Sequence, residues 1–348
     1  LTGSSKISER KKILNDLRNG TLDILIGTHA IFEDNVVFKK LGFAVIDEQH
    51  RFGVKQRSKI WKKNNPPPHI LIMTATPIPR TLTMSLYGDL DLSVIDELPP
   101  GRKDVITVAR KDKNRLKVFG FIRDQIKKGR QIYIVYPLIE ESKKMDLKFL
   151  EDGYESILKE FNSKEYSIGI VHGRMKSPNK DFEMKQFANG KTDILVSTTV
   201  IEVGVNVPNA SVMIIENAER FGLSQLHQLR GRVGRGGYDS YCILMTKDKI
   251  SDDAKIRIDA MVNTNDGFKI SEVDLKLRGP GDILGTQQSG ILDFKIADLV
   301  EDEKILSNAS DDASFLLKND PKLILNENYN IRRFILNNPL NKSWNEIG

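Results

Sequence analysis

The sequence is poor in cysteine and contains no long apolar run. Its 348 residues include a single cysteine, Cys242, which excludes an intramolecular disulfide and a cysteine-rich zinc site. No apolar run approaches the roughly 20 residues that a membrane-spanning helix needs, so we expect no membrane partner. The sequence starts at Leu1 without a signal-peptide pattern. We therefore expect a segment of a longer protein that works in a reducing cytoplasm.

The sequence also lacks a phosphate-binding P-loop, G-x-x-x-x-G-K-[ST]. Gly190-Lys191-Thr192 resembles the end of that pattern, but Lys185 stands where the first glycine is required. Gly190 is also predicted to follow a helix and precede a strand, which is the reverse of the order in a P-loop. If this chain acts on a nucleotide, its main phosphate-binding loop must lie elsewhere.

The composition is that of an ordinary globular protein with more than one domain. The length exceeds the roughly 100–200 residues of a typical domain. Apolar residues make up 39% of the chain and charged residues 29%. The net charge of +6 permits a polyanionic partner without requiring one.

The two halves of the chain resemble each other at a long offset. Residues 19–28 match residues 189–198, and residues 46–53 match residues 215–222, in the same order. Both copies of the second match contain Arg-Phe-Gly after an acidic strand end. The repeat predicts two copies of one structural unit. Chance similarity between two generic α/β units remains the alternative.

Each copy begins with a predicted helix, at residues 8–18 and at residues 178–187. Both helices end at an Asn-Gly pair, which is a helix-stop signal. A short, β-branched apolar run follows each pair and predicts a buried strand. Strands that alternate with helices predict an α/β fold with parallel sheets flanked by helices.

Polar residues follow each predicted strand. In open α/β sheets, ligands bind at the carboxyl ends of the strands, so we expect these residues to line a shared cleft. They are Thr28-His29, Asp47-Glu48-Gln49-His50, Thr74-Ala75-Thr76, His172-Gly173, Thr198-Thr199 and Glu216-Asn217.

Two of these polar segments and a later arginine–glycine segment suggest specific chemistry. Asp47-Glu48 suits Mg²⁺ and water activation in nucleotide hydrolysis, although capping of a following helix is the commoner use of such a pair. Thr74-Ala75-Thr76 precedes two prolines and could relay between the carboxylates and a nucleic acid, or could be a strand end before a turn. Arg230, Arg232 and Arg235 alternate with glycines, which suits close approach to phosphate; a solvated basic loop is the alternative.

Together these segments resemble the helicases of superfamily 2. Their motifs II, III, V and VI are similar to residues 47–50, 74–76, 196–208 and 228–235. Finer stretches resemble the fork-reversal and branch-migration translocases of that superfamily; they are residues 47–54, 93–102, 138–142 and 278–290.

The resemblance implies a domain organisation. Two tandem RecA-like lobes would occupy residues 1–98, with the first lobe truncated at its amino end, and residues 99–248. Residues 249–348 would form a C-terminal extension with a helical hairpin, a loop and a polar tail. The hairpin and loop resemble the TRG motif, which links ATP-driven lobe movement to translocation in these relatives.

The resemblance also implies roles for individual residues. Asp47 and Glu48 would bind Mg²⁺ and position the hydrolytic water, and Arg232 and Arg235 would reach the ATP γ-phosphate with Gln228 nearby. Gly204 would lie in the nucleotide-binding loop of motif V. DNA contact and coupling would fall to Thr28, His50, Thr74, Thr76, Thr198, Thr199, Arg257, Arg278 and Gln288. Asn206 stands where the pattern usually has Asp, and we assign it no role.

The resemblance implies the motor portion of an ATP-dependent DNA helicase that remodels stalled forks and Holliday junctions in recombination and repair. The expected cofactors are ATP and Mg²⁺, and the expected partners are branched double-stranded DNA and a single-stranded DNA-binding protein. We expect a monomer in the bacterial cytoplasm, associated with the nucleoid. The alternatives are a transcription–repair coupling factor or, for the isolated segment, a catalytically inactive DNA-binding piece.

Overall fold

The computed structural model describes residues 1–3, 5–48, 59–75, 91, 93–137, 143–162, 164–199, 206–278 and 302–337. These residues fall into two compact units. Unit 1 contains the described residues up to 75, residue 91 and residues 302–337, and unit 2 contains residues 93–278. The predicted site residues His50, Thr76, Gly204 and Gln288 lie outside the described residues. None of the described helices is both long enough and apolar enough to cross a membrane.

Unit 1 begins with helix α1, Ile7–Asn19, which ends at the predicted Asn-Gly pair. Strands β1, Phe43–Ile46, and β2, His69–Ile72, form a two-stranded parallel sheet. A short 3₁₀ helix, His29–Phe32, lies between α1 and β1. The fold around β1 brings the ends of the two strands together, because the backbone N–H of Met73 donates to the carbonyl of Ile46 at 2.8 Å.

The strand that was predicted after α1 is not formed. Residues 21–27 belong to no sheet, and Ile24 and Ile26 are 76% and 83% exposed. In the described structure this segment makes isolated backbone hydrogen bonds. The N–H of Thr21 donates to the carbonyl of Asp16, and the carbonyl of Ile26 accepts from the amino group of Leu1, whose own carbonyl accepts from Thr28. A strand needs a partner for its backbone groups along its length, so the prediction was wrong here, and Thr28 does not follow a strand end.

Unit 2 contains a six-stranded parallel sheet in the order β3-β8-β7-β4-β6-β5. Each strand pairs in parallel with its neighbours, as the alternation of helices and strands predicted. The strands are β3, Val105–Lys111; β4, Gln131–Val135; β5, Ile168–Val171; β6, Ile194–Ser197; β7, Ala210–Ile215; and β8, Ser240–Thr246.

The described part of unit 2 contains six α-helices that accompany this sheet. They are α2, Arg115–Lys127; α3, Lys143–Glu160; α4, Ser177–Ala188; α5, Leu223–Arg230; α6, Asp252–Asn263; and α7, Gly267–Arg278. Side chains alternate along β4, so Tyr133 packs in one apolar cluster with residues of α5 and α6, and Ile132 and Ile134 pack in another with residues of α2 and α3. Helices therefore cover both faces of the sheet, as predicted.

The C-terminal part of unit 1 contains helices α8, Glu303–Asn319, and α9, Tyr329–Asn337. The carboxylate of Asp320 joins them, because it accepts the backbone N–H groups of Ile324 and Leu325 and the side-chain amide of Asn328 at 2.9 to 3.0 Å. These contacts satisfy a buried carboxylate and fix the turn between the two helices.

The internal repeat is visible in the backbone of both units. The glycines that follow α1 and α4, Gly20 and Gly190, have φ values of 72° and 73° and so end their helices in the left-handed conformation. Glu48 and Asn217, which match in the sequence repeat, have φ values of 52° and 48°. Positive φ is uncommon outside glycine, so the shared value supports a repeated unit rather than chance similarity.

Candidate functional site

The paired carboxylates lie at the carboxyl end of β1. Asp47 is exposed and Glu48 is partly buried, and Asp47 Oδ1 accepts the backbone N–H of Glu48 at 2.8 Å. Thr74 follows β2, and the hydrogen bond between Met73 and Ile46 places it at the same edge of the sheet. The structure therefore brings the predicted motifs II and III together, as far as their residues are described.

The donor set of this edge fits a hard cation. Carboxylate oxygens suit Mg²⁺, which commonly uses one or two protein carboxylates and completes its shell with water and substrate phosphates. Among the described residues there is no group of three or more His, Cys, Asp or Glu side chains that could hold a metal by themselves. Asp47 and Glu48 can therefore contribute to a Mg²⁺ site only together with other ligands.

The matching position in unit 2 has different chemistry. Glu216, the counterpart of Asp47, follows β7 and is 5% exposed, and it accepts two hydrogen bonds from Arg115 at 2.7 and 2.9 Å. Hydrogen bonding to Glu216 raises the pKa of the Arg115 guanidinium above its ordinary value. Because this carboxylate is already neutralised, only the copy in unit 1 has a carboxylate exposed for a metal.

Arg232 and Arg235 lie in the loop after α5, near the side chain of Tyr133. Burial raises the pKa of Tyr133 to about 12, and the charges of the two arginines oppose that shift. Arg235 Nε donates to the carbonyl of Gly231 at 3.1 Å. Burial lowers the pKa of Arg235, and the neighbouring charges of Arg232 and Arg102 lower it further. The charges of Arg102, Arg232 and Arg235 therefore oppose one another within unit 2.

Gly234 allows this loop to pack tightly. Its φ is 75°, and a Cβ atom there would lie 2.9 Å from Val105 Cγ2 and 3.6 Å from the carbonyl of Lys103. Glycine is therefore required both by the backbone conformation and by the close approach to the start of β3. Gln228, on α5 before this loop, is partly buried.

Two arginines connect α5 with α6, and each donates to the backbone next to the other helix. Arg230 is 3% exposed and donates to the carbonyls of Met261, Thr264 and Asn265 at 2.8 to 3.3 Å. Arg257, on α6, donates to the carbonyls of Phe221 and Glu219 at 2.7 and 3.1 Å. The helix that precedes Arg232 and Arg235 is thus bonded at both ends to the helical hairpin α6–α7.

The resemblance had drawn attention to Arg257 but assigned no role to Arg230. In the sequence, Arg230 stood out only as part of the arginine–glycine segment. That segment suggested contact with phosphate rather than a hydrogen bond to another helix. Burial lowers the pKa of Arg230. Burial and the charge of Arg230 also lower the pKa of its neighbour His227 to about 4.

The ends of β5 and β6 carry polar atoms with unused bonding capacity. Within the part of the chain that the structure describes, His172 Nδ1, Ser197 Oγ and Thr198 Oγ1 are enclosed and have no hydrogen-bond partner. Thr199 is partly buried beside them. Buried polar groups are usually hydrogen-bonded, so the ends of β5 and β6 have the capacity to accept a further polar group.

Arg278 is the last residue of α7.

Comparisons with known proteins agree with this architecture. The family model described as DEAD/DEAH box helicase matches residues 1–85, and the helicase conserved C-terminal domain matches residues 114–237. The model described as ATP-dependent DNA helicase RecG, domain 3, C-terminal, matches residues 264–344.

Curated relatives narrow the assignment. The ATP-dependent DNA helicase RecG of Synechocystis sp. is 52% identical over 323 residues, which cover 93% of this chain and 38% of that protein. This chain belongs to the RecG family. RecG of Bacillus subtilis is 51% identical over 320 residues, which cover 92% of this chain and 46% of that protein. The chain therefore spans less than half the length of either RecG protein.

A solved structure supports the RecG assignment at the level of the fold. The structure of RecG bound to a three-way DNA junction has a TM-score of 0.65 and 47% identity, and the match covers 88% of this chain and 39% of that chain. The parallel sheets flanked by helices are thus a RecA-like helicase fold.

Proposed function

We propose that this chain is the motor part of an ATP-dependent DNA helicase that remodels branched DNA. The observation that carries the proposal is the reciprocal bonding of Arg230 and Arg257. These bonds join the helix before Arg232 and Arg235 to the hairpin α6–α7. A change at a nucleotide phosphate would therefore be transmitted to the helical hairpin that resembles part of the TRG motif.

The proposed chemistry divides between the two units. Asp47 would hold Mg²⁺, with Glu48 orienting the attacking water, and Arg232 and Arg235 would neutralise negative charge on the γ-phosphate. Mg²⁺, when bound, would neutralise charge on the phosphates. Positioning and charge neutralisation supply most of the rate enhancement in phosphoryl transfer.

The proposal requires a phosphate-binding loop in addition to these 348 residues. The sequence contains no P-loop, which supplies the backbone N–H groups and the lysine that hold the phosphates in such enzymes. We therefore expect the chain by itself to hydrolyse ATP weakly or not at all.

DNA contact is assigned to hydroxyl and backbone groups at the strand ends. Thr74, Thr198 and Thr199 lie at these edges, and the enclosed Thr198 hydroxyl lacks a partner among the described residues. Contacts of this kind to phosphate carry no sequence information, which suits movement along any sequence. The substrate proposed is a branched duplex, because the similar RecG structure is bound to a three-way junction. Action as a monomer and contact with a single-stranded DNA-binding protein are part of the same proposal.

The full-length gene product tests the proposal. We expect ATP hydrolysis that a three-way junction stimulates, together with ATP-dependent remodelling of that junction. Glu48→Gln keeps the size of the side chain and should abolish both activities, whereas Glu9→Gln, at an exposed position of α1, should leave both unchanged. Hydrolysis that no DNA stimulates, or full activity of Glu48→Gln, would contradict the proposal.

A further inference from the structure

A tight turn fixes the position of Arg102 just before β3. Pro100 and Gly101 form its centre, Gly101 has a φ of 80°, and the backbone N–H of Arg102 donates to the carbonyl of Pro99 at 3.1 Å. Proline followed by a residue with positive φ is the pattern of a type II turn. Pro100 restricts the unfolded chain to conformations near this one, and Gly101 tolerates the positive φ that the turn requires. Arg102 is thus presented from a rigid support.

The same region packs against the loop that carries Arg232 and Arg235. A Cβ atom on Gly234 would lie 2.9 Å from Val105, and β3 pairs with β8 from Val105 opposite Ser240 onward. The turn before β3 and the loop before β8 are therefore held together by both side-chain packing and sheet register. This arrangement brings Arg102 to the side of unit 2 that carries the two phosphate-directed arginines.

The electrostatic surroundings of Arg102 favour an anion. Its positive charge contributes to lowering the pKa of both Arg235 and His227. The side chain is partly buried, and in the described part of the chain it makes neither an ion pair nor a hydrogen bond. Like charges that lie close together repel, and a bound oxyanion relieves that repulsion. A fork of guanidinium donors suits phosphate oxygens.

We propose that Arg102 is a third phosphate-binding arginine, which contacts the terminal phosphate of the nucleotide together with Arg232 and Arg235. This inference rests on the proposed function, since it names a further contact in the same site. A phosphodiester of DNA has the same chemistry, so the test must distinguish the two sources of phosphate. The turn, the tight packing at Gly234 and the clustered guanidinium groups carry the proposal.

The experiment compares Arg102→Gln with Lys103→Gln in the full-length gene product. Lys103 is the next residue, and its exposed side chain pairs with Asp239 at the surface, so the control removes the same charge from the same segment. We expect Arg102→Gln to lower kcat/KM for ATP by about 100-fold, within the range for one lost transition-state contact. Binding of a non-hydrolysable ATP analogue should weaken about tenfold or more, while binding of ADP stays unchanged. Arg102→Lys keeps the charge but loses the forked guanidinium group. Its kcat/KM for ATP and its affinity for the analogue should lie between those of the wild type and Arg102→Gln.

Each alternative outcome decides the question. Unchanged ATP kinetics in Arg102→Gln, with an active wild type, would overturn the third-arginine proposal and leave the helicase proposal standing. If Arg102→Gln weakens the binding of the ATP analogue and of ADP equally, and also lowers the midpoint of thermal unfolding, the arginine has a structural role. That result would also overturn the third-arginine proposal. A smaller salt dependence of DNA binding without nucleotide, at unchanged affinity for the analogue, would assign the arginine to DNA phosphate instead. An inactive wild type would overturn both proposals.

Discussion

Arg230 on α5 and Arg257 on α6 bond to each other's helix ends. Arg230 donates to three carbonyls at the end of α6 and just beyond it, and Arg257 donates to two carbonyls just before α5. An arginine fork satisfies several carbonyls at fixed angles, so two such forks hold the helices in one relative position. The hairpin α6–α7 is consequently held against the helix that precedes Arg232 and Arg235.

Loss of Arg230 should destabilise unit 2. Arg230→Met removes the donors from the carbonyls of Met261, Thr264 and Asn265, and buried acceptors without a partner are costly. We expect a loss of about 3 kcal/mol in the free energy of unfolding, measured by urea denaturation. Arg220→Met, at an exposed position nearby, is the control and should change stability by less than about 0.5 kcal/mol. Equal effects of the two substitutions would refute the assigned role.

Gly234 and Gly237 provide a matched pair of substitutions. Alanine at position 234 would require a strained backbone with φ of 75° and would contact Val105 too closely, whereas a Cβ on Gly237 meets no atom within 4 Å. We expect Gly234→Ala to cost about 1–3 kcal/mol. Gly237→Ala should be close to neutral. The same midpoint of thermal unfolding for both variants would contradict the close packing of Gly234 against the start of β3.

His227 should make stability depend on pH. Burial, the charge of Arg230 and the charge of Arg102 lower its pKa, Asp266 opposes them, and the result is about 4. In the unfolded chain its pKa returns to about 6.5, so the unfolded state binds a proton first as pH falls. The stability contribution is therefore complete above pH ~6.5 and declines as pH falls toward ~4, by up to about 3 kcal/mol.

Urea denaturation between pH 7.5 and 4.5 measures this contribution of His227. In His227→Gln the free energy of unfolding should fall less steeply as pH is lowered. In His69→Gln, at an exposed position of β2, it should fall as steeply as in the wild type. An unchanged slope in His227→Gln would show that the imidazole is not shielded as the structure indicates.

Local sequence signals predicted the repeated helices and their ends well. The Asn-Gly pairs after α1 and α4 fix the chain through left-handed glycine conformations, which depend only on neighbouring residues. The alternating pattern likewise predicted the parallel sheet of unit 2. The apolar run at residues 21–27 shows the limit of such signals, because whether it becomes a strand depends on a partner strand that the run itself does not specify.

The sequence predicted which residue types form the candidate site, but it did not predict which side chains bond to one another. The carboxylates Asp47 and Glu48 lie at a strand end as expected. By contrast, the pairing of Arg115 with Glu216 spans 101 residues, and no local pattern distinguishes this carboxylate from Asp47. The bonds of Arg230 to residues after α6 also depend on how two helices pack. Long-range contacts of this kind decide which of two similar copies keeps an exposed carboxylate.

In the proposed function, the arginine bonds between α5 and α6 couple ATP hydrolysis to DNA movement. The most direct test measures, for the full-length gene product, the number of three-way junctions remodelled per ATP hydrolysed. Arg257→Gln should reduce remodelling about tenfold while DNA-stimulated hydrolysis stays close to the wild type. Lys255→Gln, at an exposed position on the same helix, should leave the ratio unchanged. A ratio in Arg257→Gln equal to that of the wild type would contradict the account.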